Sequence, residues 1–155
     1  MYQNLDPNIR VAVRAYITRG QSVLVQHKVY ENGCERFVLP GGAPEVNETL
    51  EQGLQRECLE EIGTSVQVVE LLHVADLFRP RSNDPSVTRH QLEMVFRCKV
   101  PESYQPRNGS HPDRHQVDVI WLDNTRTHRN FWPTGLARGV FQQENTEDIS
   151  LGLIE

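Results

Sequence analysis

Residues 9–18 alternate between apolar and polar positions, and this two-residue period predicts a β-strand. Further apolar stretches, each bounded by turn residues, predict strands at residues 22–29, 36–39, 66–74, 89–100 and 117–122. The glycine-containing link between the first two strands favours a hairpin. The strand at 36–39 should end at Pro40-Gly41-Gly42, because proline lacks a backbone donor and glycine permits unusual backbone angles.

A different spacing follows the two glycines and predicts a helix over about residues 48–62. Asn47 or Thr49 would cap its N-terminus, since Thr49 and Gln52 match a capping box. Gly63 stands where a left-handed C-terminal cap is expected. A second helix is predicted to open at Pro133 and to carry Leu136, Val140 and Phe141, and the polar tail from residue 142 is predicted to fray.

This order of strands with two dispersed helices predicts a mixed α/β (α+β) fold in which helices pack on the faces of a mixed sheet. The 155 residues suit one domain spanning the whole chain. Prolines and polar residues mark residues 79–86 as a mobile loop that would serve as a lid. The alternating first strand could pair with a second copy of the chain, so a homodimer is possible.

Composition excludes several classes of function. Sixteen Lys and Arg against 21 Asp and Glu give a net charge of −5, which argues against a nucleic-acid polymer or an anionic membrane as partner. Apolar stretches are too short for a membrane span and the N-terminus lacks a signal-peptide pattern, so we expect a cytoplasmic protein. The three cysteines are widely spaced and indicate neither disulfides nor a zinc site.

Three carboxylates crowd one face of the predicted helix, because Glu57, Glu60 and Glu61 are spaced by three and four residues. Arg56 is the cation closest to them in sequence, and the apolar row that should face the sheet borders the same patch. Hard oxygen donors without thiol or imidazole suit Mg²⁺ or Mn²⁺. A solvated acidic helix face is the alternative, but the adjacent glycine turn, which lets backbone approach an ion or phosphate, favours a site.

Residues 42–64, GAPEVNETLEQGLQRECLEEIGT, closely resemble the Nudix box, written G-x5-E-x7-R-E-U-x-E-E-x-G-U with U a bulky apolar residue. Every fixed polar and glycine position is filled. The departures are Cys58, which is smaller than usual, and Thr64, which is not aliphatic. Neither departure touches the proposed chemistry.

The resemblance implies an α/β/α sandwich around a mixed sheet and hydrolysis of a nucleoside diphosphate linked to another group. It implies that Glu57, Glu60, Glu61 and the Gly41 carbonyl bind the divalent cations, Mg²⁺ or Mn²⁺. Arg56 would orient the glutamates, and Glu48 would lie near the metals. The general base would be Glu57 or, as in relatives that use a later acid, Glu93.

Specificity is left open by the box, because the box serves the diphosphate that all substrates share. The candidate substrates are nucleotide sugars or ADP-ribose on one side and modified nucleoside triphosphates on the other. Pro80 slightly favours ADP-ribose. The competing class of protein is a nucleotide-binding module that hydrolyses nothing. The arginines predicted to contact phosphates are Arg14, Arg36, Arg79, Arg81 and Arg89. Phe78 is the aromatic residue predicted to stack on a base.

Overall fold

The computed structural model describes residues 2–155. The first sheet has five strands: β1 (Arg10–Tyr16), β5 (Gly41–Gly42), β6 (Gln67–Pro80), β7 (Thr88–Lys99) and β9 (Ser150–Ile154). Their order is β5-β1-β7-β6-β9. The sheet is mixed, because β1 pairs with β7 and β6 with β9 in parallel, whereas the β6–β7 and β1–β5 pairs are antiparallel. A mixed sheet was predicted and is confirmed.

A second, antiparallel sheet of four strands packs against the first. Its central strand β3 (Ser22–Val29) pairs with β2 (Thr18–Arg19), β4 (Glu35–Val38) and β8 (Gln116–Asp123). The predicted hairpin is present only as the short β2–β3 pair, because residues 10–16 of the predicted first strand form β1 in the other sheet. The second sheet supplies Arg36 at its β4 edge, which matters for the site described below.

Helix α1 (Leu50–Ile62) has the predicted capping. Thr49 accepts from the Gln52 amide and Gln52 accepts from the Thr49 amide, so the capping box is complete, and Gly63 ends the helix at φ 72°. Asn47 does not cap the helix. The buried side chains of α1, which include Leu54, Cys58 and Ile62, pack against β1 in one of two core clusters. The helix thus presents its polar edge at the rim of the sheet.

The second core cluster covers the opposite face of the first sheet. It holds the side chains of Leu136, Val140 and Phe141, which are all buried. The helix there is much shorter than predicted: a 3-10 turn at Thr134–Leu136 leads into α2 (Ala137–Val140). One full helix on one face and short helical turns on the other complete the layers of the fold.

The predicted fraying of the tail is wrong. Residues 150–154 form β9, which pairs in parallel with β6, and its Leu151 and Ile154 side chains are buried in the second cluster. The paired residues of β6 lie 76 or 77 positions earlier in the chain, and the polar composition around β9 concealed the strand.

The predicted lid loop is also wrong at its start, because Arg79 and Pro80 belong to β6. Residues 81–87 form a turn tied to the N-terminal segment. Asn4 donates a side-chain hydrogen bond to the Ser86 carbonyl, and Arg81 pairs with Asp6 at 3.3 Å. These contacts hold the segment against the N-terminal residues, so that it continues the β6–β7 hairpin.

Strand β1 lies between β5 and β7, so it is not the free edge that a dimer through this strand would need. Within residues 2–155, no helix combines the length and apolar character that a membrane crossing requires.

Candidate functional site

The two glycines of β5 set the geometry where the chain turns toward α1. Gly41 has φ 143°, and a β-carbon there would collide with the Val13 carbonyl of the neighbouring strand. A β-carbon at Gly42 would lie 2.6 Å from Glu57 Oε1. Both positions therefore require glycine, one for backbone angle and contact and the other to leave space for a helix carboxylate.

The Glu57 and Glu61 carboxyl groups both lie beside this turn, Glu57 at Gly42 and Glu61 at the Gly41 amide. Glu61 is only 4% exposed, and its Oε2 accepts a hydrogen bond from the Gly41 amide at 3.3 Å. Burial, and next the neighbouring Glu57 carboxyl group, raise the pKa of Glu61 well above its usual value of 4.5. The protein alone therefore stabilises the ionised form of Glu61 poorly.

Arg56 forms hydrogen bonds with three carboxylates, one just before α1 and two within it. Its Nε donates to Glu48 Oε1 at 2.6 Å and its Nη2 to Glu48 Oε2 at 3.1 Å, while Nη1 reaches Glu57 at 3.2 Å and Glu60 at 3.4 Å. The hydrogen bond from Arg56 is the main cause of a lowered pKa of Glu48. The structure thus places Arg56 within hydrogen-bond distance of Glu48, Glu57 and Glu60, and its role in orienting them stays a prediction.

The donor set fits a hard divalent cation. Glu57 and Glu61 offer carboxylate oxygens at the same glycine turn, and a cation would relieve the repulsion between their charges. The Gly41 carbonyl accepts one hydrogen bond from Arg14 at 3.3 Å and retains a second lone pair. Among residues 2–155, however, no three His, Cys, Asp or Glu side chains already converge as a metal-binding group, and Glu60 points to Arg56.

Glu93, the alternative base, is fully buried in a different set of contacts. Arg14 donates to both of its oxygens, at 2.9 and 3.3 Å, and Gln91 donates to Oε1 at 2.6 Å. Three donors on its two oxygens and the absence of exposed surface hold Glu93 in place within the sheet. Arg14, predicted to contact phosphate, instead neutralises Glu93.

Arg36 and Arg79, predicted to contact phosphate, do line a cavity of about 390 Å³ that begins at Gly41 and Gly42. Both guanidinium groups lie over the Trp132 ring, each 4.9 Å from its centroid. Trp132 reaches this place because its amide donates to the Phe37 carbonyl of β4. Of the other predicted arginines, Arg81 is paired with Asp6, and Arg89 is absent from the lining of this cavity.

Phe78 lines a neighbouring cavity of about 570 Å³, but its ring is already stacked. The Tyr2 ring lies 4.3 Å away at 8° and the His90 ring 4.5 Å away at 12°. Two parallel rings at these distances occupy both faces of Phe78. The prediction that Phe78 stacks on a base therefore does not agree with the structure unless Tyr2 or His90 moves.

Sequence reasoning missed three residues of the site: Arg10, Gln91 and Trp132. Gln91 precedes Glu93 by two positions on β7, so the alternation of the strand places both side chains on one face. Arg10 opens β1 and follows the same rule with Arg14. Trp132 comes close to the cavity only through the nonlocal hydrogen bond to β4, for which the sequence gives no signal.

Comparisons with known proteins agree with this geometry. The family model described as NUDIX domain matches residues 8–137. A MutT-like protein of Streptomyces ambofaciens is 36% identical over 112 residues, which are 72% of this chain and 62% of that protein. The chain thus spans less than two thirds of the length of that curated relative.

Solved structures show the same fold. A MutT NUDIX hydrolase from Burkholderia pseudomallei is 26% identical, with 80% of this chain and 90% of that chain covered at a TM-score of 0.60. A structure titled UDP-X diphosphatase is 21% identical, with 96% and 68% covered at a TM-score of 0.65. At that identity the second likeness concerns the fold alone.

Proposed function

Because the chain belongs to the Nudix family, we propose that it is a pyrophosphohydrolase that uses a divalent cation, Mg²⁺ or Mn²⁺, to cleave a diphosphate linkage in a small nucleotide derivative. The observation that carries the proposal is the placement of two carboxyl groups at Gly41–Gly42, where an arginine-lined cavity begins: Glu57 lies against Gly42, and the buried Glu61 accepts from the Gly41 amide. Crowded carboxylates beside a cationic cavity suit a cation and a polyphosphate together.

The residues of this chain would share the work as follows. Glu57, Glu61, Glu60 and the Gly41 carbonyl would hold the cation, which would neutralise the diphosphate and favour deprotonation of the attacking water. Arg56 fixes the positions of Glu48, Glu57 and Glu60 through its hydrogen bonds. A fixed carboxylate loses little entropy when the substrate binds, which lowers the barrier to attack.

Glu57 is the better candidate for the general base. It lies at the glycine turn, whereas both oxygens of Glu93 already accept hydrogen bonds from Arg14 or Gln91. Proton transfer needs a carboxylate within hydrogen-bond reach of the water, directly or through one bridging water. Glu93 then serves to hold Arg14 against the Gly41 carbonyl.

The substrate class is a nucleotide sugar or ADP-ribose, or alternatively a modified nucleoside triphosphate. Pro80, which slightly favours ADP-ribose, ends β6 and lines the second cavity together with Arg36 and Arg79. All of these substrates contain the diphosphate that the carboxylate face would serve.

The test is hydrolysis of a panel of nucleotide sugars, ADP-ribose and nucleoside triphosphates with Mg²⁺ or Mn²⁺, scored by released phosphate products. Glu57→Gln should lower kcat by about a hundredfold or more, because it removes the base and a cation ligand. Glu51→Gln, on an exposed position of the same helix, is the matched control and should leave kcat unchanged.

Turnover that survives Glu57→Gln nearly intact would exclude Glu57 as the base. A chain that binds nucleotides but hydrolyses none of the panel with either metal would instead be a binding module of the same fold. A profile restricted to triphosphates would remove nucleotide sugars and ADP-ribose from the substrate class.

A further inference from the structure

The cavity beside Gly41 and Gly42 is strongly cationic in a chain whose net charge is −5. Asp113 is the acidic side chain among its described lining residues. The cationic lining residues are Arg10, Arg14, Lys28, Arg36, Arg79 and Arg114. Such a concentration of one sign in a cleft focuses the field on an anionic ligand.

Half of these cations are neutralised by carboxylates. Arg14 pairs with Glu93 at 2.9 Å, Lys28 with Asp113 at 2.5 Å, and Arg114 with Glu31 at 3.4 Å. These three therefore contribute little net charge to the cavity.

The other three, Arg10, Arg36 and Arg79, make no ion pair with any carboxylate of the described chain. Arg10 is exposed, whereas Arg36 and Arg79 are half-buried. Burial, together with the positive charges of Arg14, Arg10 and Arg36, lowers the pKa of Arg79. Cations that repel one another in a partly desolvated place are stabilised when an anion binds between them.

Trp132 holds Arg36 and Arg79 together at the junction of two cavities. Both guanidinium groups lie over its ring, and all three side chains line the 390 Å³ cavity at the glycines and the 570 Å³ cavity beyond it. A guanidinium that packs on an aromatic face keeps N–H groups at its edge free for an oxyanion. The paired arginines therefore lie on the way from the glycine turn into the second cavity.

We propose that Arg36 and Arg79 bind a further anionic group of the substrate, a phosphate or a carboxylate, in addition to the diphosphate that is cleaved. This inference rests on the proposed function, which places the cleaved diphosphate at Gly41–Gly42. A diphosphate joined at both ends carries about two negative charges, and the cation held by the helix carboxylates would meet that charge. The unpaired arginines are then in surplus for a neutral sugar and suit a substrate with a third charged group.

Matched pairs of ligands test the proposal by calorimetry with EDTA present, so that binding is measured without turnover. The pairs are UDP-glucose with UDP-glucuronic acid, ADP-ribose with its 2′-phosphate, and UDP with UTP. The first pair adds a carboxylate, the second a ribose phosphate and the third a terminal phosphate. We expect the more anionic member of at least one pair to bind about tenfold tighter, since a charge-assisted hydrogen bond contributes on that scale.

The variants are Arg36→Gln and Arg79→Gln, made separately so that each can be judged if the other does not fold. Either should bring the affinity ratio of the discriminated pair close to one. Arg126→Gln is the matched control, because Arg126 is exposed and lies outside the described lining of both cavities. It should leave the ratio unchanged.

Wild-type ratios close to one for all three pairs would overturn the proposal, and so would a ratio that persists in both single variants. Failure of the proposed function gives a different result. If the protein discriminates the ligand pairs through Arg36 and Arg79 but hydrolyses nothing with Mg²⁺ or Mn²⁺, the anion site is supported and the proposed catalytic function is wrong.

Discussion

The two sides of the Gly41–Gly42 turn carry opposite charges that the protein balances to different degrees. On the α1 side, Arg56 contacts Glu48, Glu57 and Glu60, and Glu48 and Glu61 each also accept from a backbone amide. On the cavity side, Arg10, Arg36 and Arg79 form no ion pair within the described chain. The carboxylates are thus partly compensated and positioned, whereas the arginines are left without counter-charges.

This difference in charge compensation indicates that a cation would bind on the α1 side and the anionic groups of a polyphosphate on the cavity side. A network satisfied by several hydrogen bonds is rigid, and rigidity suits the groups that position the reaction. Unpaired guanidinium groups have free donors, which suits recognition of an incoming anion. The buried pair of Arg14 and Glu93 lies between the two sides and contacts the glycine turn through the Gly41 carbonyl.

Removal of Arg14 should have the largest effect on stability. Arg14→Met leaves the fully buried Glu93 carboxylate with Gln91 as its remaining side-chain donor, and we expect a loss of about 3–5 kcal/mol in the free energy of unfolding. Urea unfolding followed by circular dichroism measures this loss.

The double variant Arg14→Met/Glu93→Met is the control, because it removes both charges. It should recover most of the loss, since a buried ion pair replaced by apolar side chains is often neutral in stability. A single variant that costs less than about 1 kcal/mol would mean that the pair is solvated, and that it does not separate the two sides.

Gly42→Ala tests the carboxylate side with an intermediate effect. The added methyl group would lie 2.6 Å from Glu57 Oε1 and would displace that carboxylate. We expect kcat to fall by about tenfold to a hundredfold, as a displacement near 1 Å does in other catalytic sites.

Gly152→Ala separates this effect from simple loss of stability. Gly152 has φ 70° on β9 with nothing within 4 Å of an added β-carbon, so the substitution strains the backbone at a residue outside the described lining of both cavities. It should lower the melting temperature and leave kcat unchanged. Equal kcat for Gly42→Ala and the wild type would show that Glu57 tolerates displacement.

The carboxylate side was predictable from the sequence because its parts are local. The capping box, the Gly63 cap and the spacing of Glu57, Glu60 and Glu61 lie within one helix and its ends, and short-range geometry determines where those side chains lie. The glycines before the helix also follow directly in the chain.

The arginine side was less predictable because its contacts join distant segments. Arg14 and Glu93 are 79 positions apart, and their pairing depends on the parallel register of β1 with β7. The stacking of Phe78 between Tyr2 and His90 and the docking of β9 on β6 are equally nonlocal. Which predicted arginine is paired and which is free can be read only after strand order is known.

Glu61→Gln should have the smallest effect, and one of unusual sign. The raised pKa of Glu61 means that its ionised form is disfavoured in the folded protein, so at neutral pH the residue costs stability when no cation is bound. In EDTA at pH 7 we expect the variant to be more stable by about 1 kcal/mol, although it lacks a cation ligand. The unfolded chain releases the Glu61 proton above pH 4.5 and the folded chain only at higher pH, so the stability advantage of the variant should shrink as the pH falls toward 4.5.

Thermal unfolding at several pH values, with Glu51→Gln as the exposed control on the same helix, measures this difference in stability between variant and wild type. A variant that is less stable than the wild type at pH 7 would mean that the carboxylate side is already balanced without a cation, and the contrast with the arginine side would then disappear.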